Sequence, residues 1–131
     1  MAAGGGGGFR ELRAWRFGME LAVRVFDVTG EEAVVGDEVR SAALEIPQRI
    51  ASGWMDGQPK IWARCLALAQ GALDRMEAEA RRLWAAPDAR LLELAADVRR
   101  ELAALEAAPL RPPAPPVAIP AVEVEIEAAA A

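Results

Sequence analysis

VRSAALEIPQRIASG, residues 39–53, is the stretch on which the fold turns. Val39, Ala43, Ile46 and Ile50 recur at steps of four, three and four, the spacing of one helix face. Pro47 stands inside that stripe. It has no amide to offer the Ala43 carbonyl, and its ring crowds that carbonyl, at a cost of roughly 3 kcal/mol in an ordinary helix interior. A pattern that persists on both sides of such a break needs tertiary packing to hold it. The stretch therefore predicts a helix kinked at Pro47 and locked into a bundle.

Working outward, the same periodicity marks three more helices. Leu12, Trp15, Met19, Ala22 and Phe26 step by three and four and predict a first helix over residues 9–28, roughly 30 Å long. The second helix is expected over 35–52, stopped by Gly53, with Asp56-Gly57-Gln58-Pro59 as a turn. The third is expected over 60–84. Trp62, Leu66, Ala69, Leu73, Met76, Ala80 and Leu83 give it one apolar stripe, and Ile61, Cys65, Leu68 and Ala72 a second beside it. One seam suffices for a helix in a small bundle, so the second stripe points to an oligomer interface. The fourth follows Pro87-Asp88, with Leu91, Ala95, Val98, Leu102 and Leu105 facing one way. Short connections favour antiparallel neighbours, so the expected fold is all-α, an up-down-up-down four-helix bundle over residues 9–108.

The ends read differently. Residues 1–8, MAAGGGGG, form a flexible leader by composition. Residues 109–131 begin as a proline-rich linker and end in an acidic tail. Within the tail, Val122, Val124 and Ile126 alternate with Glu123, Glu125 and Glu127. That is strand periodicity, and it reads either as a disordered acidic end or as a motif that adds a strand to a protein partner's sheet.

Composition narrows the chemistry. Of 131 residues, 15 are Lys or Arg and 20 Asp or Glu, a net charge of −5 that argues against broad nonspecific nucleic-acid binding. Lys60 is the one lysine; the other cations are arginines, whose planar forks suit carboxylates and phosphates. Histidine is absent, which removes the commonest general base and metal ligand. A lone cysteine, Cys65, rules out a disulfide within the chain and a thiolate zinc site, and fits a reducing cytoplasm. No charged start leads into a long apolar run, and no stretch approaches the ~20 apolar residues of a bilayer span.

No enzyme, metal site or cofactor is expected from such residues. Asp74, Glu77 and Glu79 form a carboxylate set, but a di-iron bundle needs inward Glu-x-x-His motifs that a histidine-free chain lacks. Cys65 has no base to activate it and belongs to an apolar stripe. Arg10, Arg13 and Arg24 share a side of the first helix, with Arg16 at its edge. They are the best candidates for anion or nucleic-acid contact; the competing reading is a solvated face balanced by Glu11, Glu20 and Asp27. Arg81-Arg82 and Arg99-Arg100 either add a basic rim or pair with nearby acids at helical spacing. Trp54 either stacks on a base or packs at the bundle end.

Several of these motifs carry a resemblance. FRELRAW at residues 9–15, the 39–53 stretch and the third-helix positions Leu66, Ala69, Gly71 and Leu73 resemble a bacterial four-helix-bundle family. It comprises the intervening-sequence proteins encoded within large-subunit ribosomal RNA genes, related to the accessory variability determinant of diversity-generating retroelements. In the second helix the match rests on Arg40, Ala42, Ala43, Ile46, Pro47, Ile50, Ala51 and Gly53. The sequence departs from the family at Arg49, Ser52 and Arg75, where asparagine, glutamate and glutamate are usual. One reading is a swapped polar pair, Arg49 or Arg75 meeting Glu45 or Glu79. The resemblance implies a homopentamer, five bundles forming a barrel around a central opening. The expected function is a non-enzymatic, self-assembling scaffold or adaptor that presents a surface to a partner. The alternative that the resemblance implies is an accessory protein that binds RNA and works with a reverse transcriptase.

Overall fold

A 3-10 turn and four α-helices follow one another in the computed structural model, which describes residues 8–30 and 36–108. Most of the leader, the sequence between 30 and 36, and the whole C-terminal tail with its alternating Val-Glu motif lie outside the described residues. The turn spans Phe9–Glu11 and the helices are α1 Arg13–Thr29, α2 Asp37–Asp56, α3 Pro59–Leu83 and α4 Ala89–Ala107. Among the described residues each helix packs on two neighbours and not on the one across the bundle. The fold is all-α, as the periodicity implies.

The helix ends follow from local chemistry. Leu12 is extended and separates the opening turn from α1, so the first helix starts later than its apolar stripe suggests. Asp88 caps α4 by accepting a hydrogen bond from the Leu91 amide at 2.9 Å. Pro59 opens α3, where its missing N–H costs nothing. α2 runs through Pro47 and on through Gly53 to Asp56. Its stop is Gly57, whose φ of 81° is the left-handed conformation that glycine tolerates best.

Gly53 does something else. A Cβ there would lie 2.6 Å from the Cβ of Cys65, so the missing side chain is what lets α2 and α3 approach. These two helices make the most extensive contact in the molecule. Trp54 and Trp62 close the same end with rings edge to face, 5.5 Å apart.

α1 departs from the reading of its stripe. Of Leu12, Trp15, Met19, Ala22 and Phe26, only Ala22 is buried. The inward face is Ala14, Gly18, Leu21, Ala22 and Val25. The reason lies across the seam: a Cβ on Gly18 would stand 3.4 Å from Ile46 and 3.6 Å from the ring of Pro47. The proline ring takes up room on α2, and small residues of α1 meet it. The bulky residues are turned to the edge, and Phe26 is 44% and Val23 56% exposed.

In α3 and α4 the expected stripes are the core. Trp62, Leu66, Ala69, Leu73, Met76 and Ala80 are buried, as are Leu91, Ala95, Val98 and Leu102. The second stripe of α3 is largely covered by the chain itself: Cys65 and Ala72 are buried, Leu68 is half-buried and Ile61 is exposed. α3 packs on both α2 and α4, and a wide apolar face is what two neighbours require.

These contacts predict opposite outcomes for two glycines. Gly53→Ala should lower unfolding free energy by about 1–3 kcal/mol, the usual penalty of overpacking. Gly18→Ala, meeting only ordinary van der Waals contact, should be neutral or gain up to about 1 kcal/mol from helix propensity. Urea titrations of the two variants check both.

Candidate functional site

The four arginines at the start of the chain do not form one open cationic face. Arg10, on the opening turn, lies over the ring of Phe9, with its guanidinium carbon 5.4 Å from the ring centre. Arg13 lies near Phe17 and approaches Glu101 of α4 at 3.7 Å. Arg16 is exposed on α1. Arg24 donates two hydrogen bonds to Asp88, Nε to Oδ2 at 2.8 Å and Nη2 to Oδ1 at 2.6 Å. The fork joins the end of α1 to the cap of α4. Three turns of helix separate Arg13 from Arg24, so the structure brings Arg10, Arg13 and Arg16 to one end and leaves Arg24 at the other.

Most of the remaining arginines follow the same habit. Arg81 lies 3.8 Å from Glu77, Arg82 2.7 Å from Glu79 and Arg100 2.6 Å from Asp97. Arg99 meets Asp74 at 3.0 Å and also Glu77. Glu45 of α2 accepts from both Arg75 of α3, at 2.6 Å, and Arg49, at 3.2 Å. The swapped pair between the helices is thus Arg75–Glu45, while Ser52 is exposed and Glu79 turns to Arg82. Arg40 is buried in α2, with the Phe26 ring 5.9 Å away.

Acids tied to arginines this way have little freedom for proton transfer. The hydrogen bond from Arg82 holds the Glu79 carboxyl below its ordinary range. Among the described residues no three Asp, Glu, Cys or His side chains cluster as metal ligands would. Cys65 is a free, buried thiol. Trp54 is buried against Trp62, which leaves no ring face for a base, and Trp84 is half-buried against the core. No helix among the described residues is long and apolar enough to cross a membrane.

What the surface does offer is apolar. Trp15, Met19, Val23 and Phe26 lie within about 80° of one another on the helical wheel, at 100° per residue. Trp15 and Met19 are half-buried, and Val23 and Phe26 are exposed. Beside them Met19, Val23 and Leu94 line a shallow groove of about 380 Å³, edged by Glu20, Arg24, Asp27 and Arg90. This stripe replaces the second stripe of α3 as the candidate interface: Cys65 and Ala72 are inside the chain's own core, and Ile61 and Leu68 remain at the surface. The signal was present in the sequence, since α1 carries more apolar residues than one seam can use.

No protein-family model, curated protein or solved structure matches this chain.

The Arg24–Asp88 fork makes a prediction about acid. The Asp88 carboxyl is held at about 2 against an ordinary 3.8, chiefly by the Arg24 hydrogen bonds and then by the Leu91 amide. A folded-state value below the unfolded one gives stability that is complete above about pH 4 and lost as the pH falls through about 2. Asp88→Asn keeps a capping side chain but not the charge. Its thermal midpoint should lie below that of the parent at pH 6, and the gap should close toward pH 2.

Proposed function

We propose that this chain is a non-enzymatic helical scaffold whose copies associate through the outer face of α1. The observation that carries this reading is the stripe of Met19, Val23 and Phe26, left at the rim beside Trp15, which itself packs on the core and on Phe9. Apolar side chains gathered on one face gain when a second surface removes them from water, at ~25 cal/mol per Å². The stripe itself carries no charge; Arg16 and Asp27 flank it, and Glu20, Arg24 and Arg90 stand at the edge of the adjoining groove. The missing histidine and the acids bound to arginines support a role without catalysis. The lone buried thiol fits a cytoplasmic setting. A ring of five follows from the family resemblance. In such a ring the outward loops and helix ends form the surface offered to a partner.

Binding of RNA as an adaptor to a reverse transcriptase has narrower support. Two of the four arginines it would use, Arg13 and Arg24, already face carboxylates, while Arg10 and Arg16 stay exposed.

Light scattering with size exclusion tests the scaffold. At micromolar concentration the parent should run as a multiple of the chain mass, and Val23→Asp with Phe26→Asp should run as a single chain with its helical circular dichroism intact. A parent that is monomeric overturns the reading. Filter binding to structured RNA at low salt serves the adaptor: retention that weakens in Arg10→Ala, Arg16→Ala would favour it over the plain scaffold.

A further inference from the structure

A second surface lies on the side of the bundle formed by α3 and α4. These helices pack less extensively than any other neighbouring pair, and a groove of about 440 Å³ opens between them. Leu92, Ala96 and Ala103 of α4 line it together with Glu77 and three arginines, Arg81, Arg99 and Arg100. Their side chains are about half to two-thirds exposed. Each also meets an acid, Glu77, Asp74 or Asp97, but a guanidinium has five N–H donors and these pairs occupy only part of them. Exposed pairs of this kind contribute ~0.2–1 kcal/mol, so they yield readily to a better-placed carboxylate.

The occupant that fits is in the chain itself. The groove wall ends at Ala103, and the described helix region ends at Ala108. Beyond it the sequence has a proline-rich stretch over 109–120 and then AVEVEIE over 121–127. Extended, that segment places Val122, Val124 and Ile126 on one side and Glu123, Glu125 and Glu127 on the other. Three apolar groups then span about 13 Å at ~3.3 Å per residue. The floor from Leu92 to Ala103 spans about 16 Å at 1.5 Å per residue. Reach is sufficient: residues 109–120 extend up to ~37 Å at 3.1 Å per residue, against about 24 Å from Ala108 back to the level of Leu92. Tethering also supplies an effective concentration in the millimolar range.

We propose that residues 121–127 dock in the α3–α4 groove of their own chain. Val122, Val124 and Ile126 cover the apolar floor, and the exposed guanidinium groups of Arg81, Arg99 and Arg100 reach out past the edges of the segment to the glutamates on its outer side. The contact is independent of the α1 face and holds whether or not copies associate.

Backbone ¹⁵N relaxation of the full chain tests it. Residues 122–127 should have order parameters near those of rigid backbone, about 0.85, and should fall below about 0.6 in Glu123→Lys, Glu125→Lys, Glu127→Lys. The same triple variant should shift the amides of Leu92, Ala96 and Ala103. Arg81→Glu with Arg100→Glu should also release the segment, and combining the two sets should restore its order. Low order parameters in the parent overturn the proposal, as does order that survives both sets of substitutions. Order lost on dilution assigns the segment to a neighbouring copy and equally overturns docking within one chain.

Discussion

The ring of Pro47 lies against Gly18, and α1 is turned so that its small residues face that seam. A proline inside a helix forfeits one backbone hydrogen bond and crowds the turn before it, so the helix needs a neighbour that supports the altered surface. α1 supplies one with its smallest residues, Ala14, Gly18 and Ala22. Small residues let two backbones come close, and closeness brings Ile46, Leu21 and Val25 into the dry interior. The same rotation carries Trp15, Met19 and Phe26 to the rim. Core and candidate interface are therefore two consequences of one helix orientation.

The polar surface obeys a different rule. Most arginines in the described region find an acid one helical turn away or across a seam. Most such pairs contribute little alone, because both partners are solvated. The pairs that link separate helices are Arg24–Asp88 and Arg13–Glu101 between α1 and α4, Arg75–Glu45 between α2 and α3, and Arg99 with Asp74 and Glu77 between α4 and α3. Their geometry favours the antiparallel arrangement over its alternatives, which is a matter of specificity as much as strength. The pairing also explains why an arginine-rich chain offers so little free positive charge.

Much of this was legible from residue order. Period-3.6 stripes located all four helices, and Pro59 and Asp88 marked two starts because their roles are local. The inward stripes of α3 and α4 were legible because large residues mark them, and in α3 the second stripe lies beside the first and is buried with it at Cys65 and Ala72. α1 was misjudged for the opposite reason: two apolar stripes run side by side, and choosing between them requires knowing what stands opposite. Gly53 misled similarly. As a local signal it ends a helix, but its neighbour is Cys65, twelve positions on, and only the packed structure shows that the glycine makes room. The candidate interface moved from α3 to α1 on the same ground, since the number of neighbours a helix has is not written in its own sequence.

The thiol of Cys65 sits where α2 passes close to α3, with room beside it only because residue 53 has no side chain. Cys65 is only 8% exposed, so alkylation of its sulfur is slow while those helices stay together. The protein thus carries a native clock for its own breathing: the speed at which that sulfur is modified reports how often this joint of the bundle comes apart, with no label added.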